Sequence, residues 1–341
     1  MSQASDTNYI KGYRQTVRQR TLTPSVQGSN PCSPAEETTS EEVVFLCPDK
    51  KIVFYFWHGN GYDRNQNSNI FAKEWIIMKI GFIGCGNMAT AMLKGILKSG
   101  EVKAADMIAS AKSDKTREKI EKELGICKAD TNAQVVDFAD IVFLAVKPQF
   151  LEGVLDEIKD SVKENQIFIS IAPGKTLQWL GEHLGEKTKV IRTMPNTPAM
   201  VGEGMTALCV NNLVTEEETQ MAVELCNTFG KTEVVPEHLM DVVVGVSGSS
   251  PAYVFMFLEA MADAAVADGM PRAQAYKFAA QSVLGSAKLM LETGKHPGEL
   301  KDMVCSPAGT TIQAVRVLEE KGLRSAVIEA QTACVKKAKG I

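Results

Sequence analysis

The sequence predicts an α/β domain built on a parallel sheet, followed by an all-helical domain. Short apolar runs alternate with helical patterns from Met78 to about residue 195, which is typical of repeated strand–helix–strand units. A glycine-rich turn joins the first of these runs directly to a helix. From Pro236 onward the strand patterns stop, and long helical patterns continue to the C-terminus.

The predicted elements divide the chain at residue 236. Five strands alternate with helices, and two further strands follow them before the boundary; the seven segments are 79–84, 107–110, 140–146, 167–172, 190–193, 205–210 and 232–235. In the helical half, breaks are expected at "GSSP", "DGMPR", "TGKHPGE" and "SPAGTT". The predicted domains are therefore 78–236 and 237–341.

Residues 1–77 differ in composition from the rest. They combine "TLTPSVQGSNPCSPAEETTSEE" with one short apolar patch, "KIVFYFWHGNGYD", and nothing in them repeats or alternates long enough to build a domain. The patch is interpreted as a single strand or as a partner-binding segment, because a lone strand cannot bury itself. We expect this region to be an extension that is disordered or follows from a misassigned start, without a part in catalysis.

Composition excludes several classes of function. With 45% hydrophobic residues, 23% charged residues and a net charge of −4, the chain offers no basic face for nucleic acid. No uninterrupted apolar run approaches the length that spans a bilayer, and the N-terminus lacks a signal-peptide pattern, so no membrane association and a cytoplasmic location are expected. The eight cysteines form no C-x-x-C pair, which indicates reduced thiols and no metal site.

The stretch "KIGFIGCGNMATAM" predicts a dinucleotide site of the Rossmann type. Gly84 permits a tight turn, Gly86 lets a pyrophosphate approach the backbone, and Ala89 keeps the helix close to the strand. The free N–H groups at the helix start would face the phosphates. The alternative is a glycine turn that only packs tightly.

The end of the second strand indicates which cofactor is used. A Rossmann fold that selects NAD usually places an acidic residue there, but Ser110, Ala111 and Lys112 occupy the position. No carboxylate would repel a 2′-phosphate, and Lys112 could attract one, so NADPH is favoured with NADH possible. Lys112 could equally be an ordinary solvated lysine, and Asp114 is expected to cap the next helix.

Two helix starts and three strand ends complete the candidate site. The corners "LAVKPQ" and "ISIAPGK" bring backbone close enough to line a flat ring, although they could simply end strands, and the prolines of "RTMPNTP" fix an extended connection. In the helical half, "GVSGSSPAYVF" and "SPAGTT" each lead small residues into a new helix. The second of these could hold a small carboxylate on free backbone donors, or be a plain turn between helices.

In combination, these motifs resemble the pyrroline-5-carboxylate reductase family. The resemblance is carried by "GFIGCGNMATAM", "FLAVKPQ", "RTMPNTP", "GVSGSSPAY" and "HPGELKDMVCSPAGTTIQAV", in this order, from residue 78 to about 340. It implies reduction of 1-pyrroline-5-carboxylate to L-proline with NAD(P)H, the last step of proline biosynthesis. It also implies a homodimer formed through the helical domain and assembled further, for example into a decamer. The apolar residues around most of the circumference of these helices agree with burial against another chain.

The resemblance also implies roles for individual residues. For the cofactor these are Ile83, Gly84, Cys85, Gly86, Asn87, Met88, Ser110, Ala111, Lys112, Asn132, Ala145, Val146, Lys147, Pro148, Ile171, Ala172 and Pro173. The substrate carboxylate would rest on the backbone of Thr310 and Thr311, with Glu237 near the same pocket and the Thr311 hydroxyl, as the catalytic group, near the ring nitrogen. Glu237 could instead only complement a helix dipole.

This sequence departs from the family pattern at three positions. Pro173 replaces a usual small alanine, Ala308 a usual glycine and Met303 a position that is often polar. These departures put fine affinity in doubt more than activity.

Two other functions remain open at the level of sequence. A β-hydroxyacid dehydrogenase would share both halves but needs a helix lysine followed one turn later by asparagine, whereas Lys288 is followed there by Glu292. A non-enzymatic NADP-binding regulator would be free to lose the "SPAGTT" stretch, which is present. The four histidines lie outside that stretch, so positioning and charge complementarity, without a histidine acid, are expected to suffice for hydride transfer to a protonated imine.

Overall fold

The structure, a computed structural model, describes residues 41–46, 52–57 and 78–340. The chain divides into two compact units, Met1–Glu74 and Trp75–Ile341. In the first unit, β1 (Glu41–Leu46) and β2 (Ile52–Trp57) form an antiparallel pair in which Val43 lies opposite Tyr55. The apolar patch of the extension is therefore not a lone strand, since it pairs with the segment "EEVVFL". The rest of the predicted extension lies outside the described residues.

The second unit contains an eight-stranded sheet. Its strands are β3 (Ile80–Ile83), β4 (Met107–Ser110), β5 (Cys127–Ala129), β6 (Ile141–Leu144), β7 (Ile167–Ser170), β8 (Lys189–Met194), β9 (Gly204–Val210) and β10 (Gly230–Val234). The spatial order is β10-β9-β8-β7-β6-β3-β4-β5. All neighbouring pairs are parallel except β8 and β9. From β3 the chain order runs through β4 to β5 in one direction and from β6 to β8 in the other. The strand order therefore reverses between β3 and β6, which is where open α/β sheets bind their ligands.

Helices cover both faces of this sheet. They are α1 (Asn87–Ser99), α2 (Asp114–Leu124), α3 (Asn132–Phe138), α4 (Pro148–Ile158), α5 (Leu177–Leu184) and α6 (Glu216–Asn227). One apolar cluster joins α1, α2 and α6 to one face, and a second joins α3, α4 and α5 to the other. Every residue of β3, β4, β6 and β7 is buried, as the apolar runs predict.

Two features of the sheet differ from the prediction. Strand β5 was not predicted, because three residues are too few to show a pattern. Strand β9 runs antiparallel to β8 in a sheet predicted to be parallel. The connection 195–203 holds only one short 3₁₀ turn, Thr197–Val201, and is too short for the crossover that a parallel pair requires.

The cap of α2 also corrects the prediction. The Ser113 hydroxyl accepts a hydrogen bond from the Thr116 N–H at 3.2 Å, so Ser113 caps this helix. Asp114 is the first helical residue, and its carboxylate pairs with Arg117 Nη2 at 2.6 Å. Serine precedes the acid here, and the acid complements the helix N-terminus from inside the first turn.

The C-terminal part is entirely helical. It consists of α7 (Met240–Val243), α8 (Ser250–Ala267), α9 (Arg272–Thr293), α10 (Pro297–Val304), α11 (Thr310–Glu320) and α12 (Leu323–Ala338). The expected break at "GSSP" is a single π-helical turn, Val244–Gly248, in which the Ser249 N–H donates to the Val244 carbonyl at 2.8 Å. A Cβ atom on Gly245 would lie 2.8 Å from Val335 Cγ2, so glycine lets α12 approach this turn closely.

The helices of the C-terminal part leave much apolar surface uncovered in the single chain. Four consecutive residues of α8, Val254 to Phe257, are 39–70% exposed, and Leu291 on α9 is 81% exposed. By length and composition alone the helical segment Glu237–Ala267 is apolar enough to cross a membrane, a test that a core helix of a soluble protein also passes. Isolated leucines are normal on a surface, whereas a helix that is apolar around its circumference marks an interface.

Candidate active site

The glycine turn after β3 has the geometry that a dinucleotide requires. Gly84 has φ +96°, and a Cβ there would lie 2.7 Å from the Ala145 carbonyl oxygen. Its N–H donates to the Ser110 carbonyl at 3.1 Å, which fixes the turn against β4. Gly86 precedes α1, and a Cβ there would meet no atom within 4 Å. The N-terminus of α1 is thus open to a pyrophosphate on its glycine side, and the residues fit the cofactor.

Two side chains beside this turn, those of Cys85 and Ala89, are buried and uncharged. Ala89 is buried under β3, as predicted for the third position of the motif. Cys85 is also buried, and its thiol contacts Thr90 Oγ1 at 3.8 Å. Burial raises the pKa of the Cys85 thiol above its ordinary value, so the thiol stays protonated at neutral pH.

A cavity of about 440 Å³ lies at the ends of β3 and β4. Six of the predicted cofactor residues line it together: Gly84, Ser110, Ala111, Lys112, Asn132 and Val146. The structure therefore brings these predicted segments to one place. Sequence reasoning missed Arg117, Asp130, Phe150 and Glu157, which also line the cavity. Arg117 lies inside α2 and Glu157 inside α4. Only the way these helices pack on the sheet brings their side chains to the cavity, so no sequence pattern indicated them.

A second cavity, of about 390 Å³, lies between the start of α1 and α2. Cys85, Gly86 and Asn87 line it from the glycine turn, and Lys115 and Lys119 line it from α2. The glycine turn thus lies between two cavities. Lys122 also lines this second cavity, together with Glu118 and Glu123, so it carries charged groups of both signs.

The two predicted corners for the nicotinamide are neighbours in the sheet. Leu144 at the end of β6 pairs with Ser170 at the end of β7, and the Ile171 N–H donates to the Leu144 carbonyl at 3.3 Å. The segments 145–148 and 171–173 therefore leave the same edge of the sheet side by side. Pro148 is the first residue of α4, where its missing N–H costs no hydrogen bond.

Glu237 is anchored between the sheet and the helical part. Its Oε1 accepts from the Leu177 N–H at 2.7 Å and from Arg192 Nη1 at 3.2 Å. Arg192 is 3% exposed and also pairs with Asp241 at 3.6 Å, and its backbone pairs with that of Ser170. Glu237 thus neutralises a buried guanidinium close to the corner 171–173, a role that the sequence did not indicate. Substrate contact by Glu237 stays a prediction.

Asn196 joins the two unusual connections of the sequence. Its Nδ2 donates to the Ser247 carbonyl at 3.0 Å, and its Oδ1 accepts from the Met205 N–H at 2.8 Å. The motif "RTMPNTP" is therefore bonded to the π-helical turn of "GVSGSSPAY". This bond fixes the start of the helical part relative to β8 and β9.

The predicted substrate loop has an uncapped helix start. Gly309 precedes α11, and none of the described side chains caps that helix. A Cβ on Gly309 would collide with Ser306 Oγ, and Ala308 adopts φ +59°, which explains why glycine is usual at that position. Thr310 is exposed and Thr311 half-buried. Neither residue lines the two cavities beside the glycine turn.

Comparison with known proteins decides the family. Residues 237–341 match the family model for pyrroline-5-carboxylate reductase dimerisation, and residues 79–174 match the model for NADP oxidoreductase, coenzyme F420-dependent. The pyrroline-5-carboxylate reductase of Escherichia coli is 56% identical over 259 residues, which are 76% of this chain and 96% of that protein. The chain belongs to the pyrroline-5-carboxylate reductase family.

Other members of the family agree in sequence and in structure. The Arabidopsis thaliana reductase is 39% identical over 76% of this chain and 94% of its own length. The solved structure of the Coxiella burnetii reductase superposes with a TM-score of 0.73 at 34% identity, over 77% of this chain and 98% of that one. The Plasmodium falciparum enzyme, solved with NADP bound, gives a TM-score of 0.70 at 29% identity, over 77% and 97%.

These comparisons confirm the predictions made from the motifs about the family, the two-part fold and the class of enzyme. The family reduces 1-pyrroline-5-carboxylate to proline with NAD(P)H, so an NAD(P)H-dependent oxidoreductase is confirmed as well. The helical region is a dimerisation domain of this family. Contact with a second subunit therefore explains the exposed apolar surface of α8 and α9. The roles of the individual site residues stay predictions.

Proposed function

We propose that this chain reduces 1-pyrroline-5-carboxylate to L-proline in the cytoplasm, as the last step of proline biosynthesis, with NADPH favoured over NADH. The observation that carries the proposal is the uncapped start of α11 with its half-buried Thr311, in a chain whose other half fits a dinucleotide. The proposed domains are residues 78–236 for the cofactor and 237–341 for substrate and dimerisation.

The α/β half would hold the cofactor along the edge of the sheet where β3 ends. When bound, NAD(P)H supplies the hydride. The backbone at Gly86 and the start of α1 would bind the pyrophosphate, and the cavity with Ser110 and Asn132 would take the adenosine end. The corners 145–148 and 171–173 would hold the nicotinamide flat against the backbone.

The start of α11 would hold the substrate. Free N–H groups of Thr310 and Thr311 are suited to the carboxylate, because the first N–H groups of a helix lack partners and carry the positive end of its dipole. The Thr311 hydroxyl would then contact the ring nitrogen and keep the imine carbon in line for hydride transfer. A protonated imine is already electrophilic, so orientation and exclusion of water are the main tasks of the protein.

The active site would be completed in the dimer. Neither cavity at the glycine turn includes Thr310 or Thr311, while α10 and α11 expose Met303, Val304 and Val317. A loop supplied by the partner subunit would satisfy both observations. Mixing a Thr311→Ala dimer with a Gly86→Val dimer, under conditions where subunits exchange, would then restore part of the activity that each variant lacks.

A direct assay tests the proposed reaction. NADPH oxidation is followed with 1-pyrroline-5-carboxylate and, in parallel, NADP reduction with a panel of 3-hydroxy acids. Turnover of the imine alone is expected. Turnover of a hydroxy acid would instead favour a dehydrogenase, although Lys288, its candidate lysine, is exposed and paired with Glu292 at 3.6 Å.

The chain is expected to associate through its helical part, into dimers and then a larger ring such as a decamer. Light scattering at micromolar concentration should give a mass that is a multiple of 37.0 kDa, without substantial monomer. Phe278→Glu should weaken association, because Phe278 is 68% exposed on α9 and a buried charge is costly. Leu213→Glu, at an exposed apolar residue of the α/β half, is the matched control. A monodisperse monomer would contradict the expectation.

Residues 1–77 are expected to be dispensable for catalysis. An alignment of 259 residues of this chain spans 96% of the Escherichia coli relative. The first of the two matching family models begins at residue 79. A chain shortened to begin at Met78 should keep its kcat/KM within about twofold and keep its oligomeric mass. Loss of activity or aggregation of the shortened chain, beside an active full chain, would assign the extension a role.

A further inference from the structure

Glu157 on α4 lines the cavity of about 440 Å³ at the ends of β3 and β4 and has no role in the function described so far. Its Oε2 accepts a hydrogen bond from Asn132 Nδ2 at 2.7 Å, and its Oε1 lies 3.4 Å from the Asn132 N–H. The Asn132 Oδ1 in turn accepts from the Ser110 hydroxyl at 2.7 Å. Three elements that are distant in sequence thus form one chain of hydrogen bonds, from α4 through the start of α3 to the end of β4.

The charge of Glu157 fixes the direction of every bond in this chain. A carboxylate only accepts hydrogen bonds, so it holds the Asn132 amide with the NH₂ group toward itself. The amide oxygen must then face Ser110, and it takes the single hydroxyl proton of that side chain. Ser110 therefore presents lone pairs to the rest of the cavity and acts there as an acceptor.

An acceptor at this position discriminates between the two forms of the cofactor. A ribose 2′-hydroxyl can donate to Ser110, whereas a 2′-phosphate has only acceptor oxygens and carries negative charge. Lys112 and Arg117 favour the phosphate, but Arg117 is paired with Asp114, and Asp130 and Glu157 add negative charge to the same cavity. If the adenosine ribose lies in this cavity, the balance between NADH and NADPH would depend on how the Ser110 hydroxyl is oriented.

We propose that Glu157 is a positioning residue that, through Asn132 and Ser110, favours a free ribose 2′-hydroxyl and restrains the affinity for a 2′-phosphate. The proposal rests on the proposed function in one respect, the placement of the adenosine end of the cofactor in this cavity. Glutamine at position 157 can donate or accept. The Asn132 amide could then turn over, and the Ser110 hydroxyl would be free to donate to a phosphate.

Titration calorimetry on the full chain tests this without the reductase reaction, with 2′,5′-ADP and 5′-AMP as probes. In Glu157→Gln the ratio of the two dissociation constants should shift by about tenfold in favour of 2′,5′-ADP, the magnitude of one hydrogen bond to a charged group. Asp130→Asn is the matched control, because it removes one charge from the same cavity and leaves the hydrogen-bond chain intact. It should shift the ratio by less than about twofold.

A second variant separates an effect that acts through the Ser110 hydroxyl from a general effect of removing the charge at position 157. Ser110→Ala removes the acceptor, so 5′-AMP should bind more weakly, and Glu157→Gln should have no further effect on the ratio in this background. The proposal is overturned by an unchanged ratio in Glu157→Gln, by an equal shift in Asp130→Asn, or by a shift that persists without the Ser110 hydroxyl. Failure of both nucleotides to bind the unaltered chain would also overturn it. Normal nucleotide binding without imine reduction would count only against the proposed function.

Discussion

Gly86→Val should abolish measurable NADPH binding while the protein stays folded. The Cβ position of Gly86 is open, with no atom within 4 Å, and its backbone (φ −76°, ψ −171°) is accessible to any residue. The Cβ of a valine there would therefore meet no protein atom, but the side chain would fill the space through which a pyrophosphate would reach the start of α1. We expect an affinity loss of at least about a hundredfold, and a change in the free energy of unfolding below about 1 kcal/mol.

Gly84→Ala is the matched control for this prediction and should behave in the opposite way. Its φ of +96° is strained for any residue with a Cβ, which would lie 2.7 Å from the Ala145 carbonyl oxygen. The free energy of unfolding should fall by about 2 to 4 kcal/mol. Thermal unfolding and NADPH calorimetry distinguish the two variants. Near-normal NADPH binding by folded Gly86→Val would remove the glycine turn from the cofactor site.

Thr311→Ala should reduce kcat/KM for 1-pyrroline-5-carboxylate by roughly ten- to a hundredfold. The substitution removes one hydroxyl, a hydrogen bond of about 1 to 3 kcal/mol to the imine nitrogen, and leaves the backbone N–H groups of α11 in place. NADPH affinity should barely change. Steady-state kinetics and NADPH calorimetry, each on the same preparation, measure the two effects separately.

Thr310→Ala provides the comparison, since only the backbone of Thr310 is assigned to the carboxylate. Its effect on kcat/KM should be clearly milder than that of Thr311→Ala. Proline, which shares the ring and carboxylate of the substrate, should compete with the imine in the unaltered enzyme. If Thr311→Ala keeps full kcat/KM, or loses NADPH and imine binding together, the loop is a structural turn and the substrate binds elsewhere.

Local backbone chemistry determined much of what the sequence could predict. The turn at Gly84 and Gly86 was predicted correctly because a strand, a glycine turn and a helix start follow one another within a few residues. The succession of strands and helices was likewise readable, because buried parallel strands give continuous apolar runs. The order of five motifs was enough to predict the family, which the comparisons confirm.

The errors came from features with weak local signals. Three residues of β5 show no usable pattern, and the direction of β9 depends on the length of the preceding connection more than on its own residues. At the start of α2, both Ser113 and Asp114 are good capping residues, and only the backbone geometry decides between them.

The sequence by itself thus determined the fold class and the family, and it predicted which segments form the glycine turn and the neighbouring strand ends, because these depend on periodicity and on residues adjacent in the chain. Only the tertiary structure placed Glu157 beside Asn132, across 25 residues, and Arg192 beside Glu237, across 45 residues. Each contact joins side chains from separate elements. Their distance and orientation follow from how helices pack on the sheet, and no local pattern encodes them.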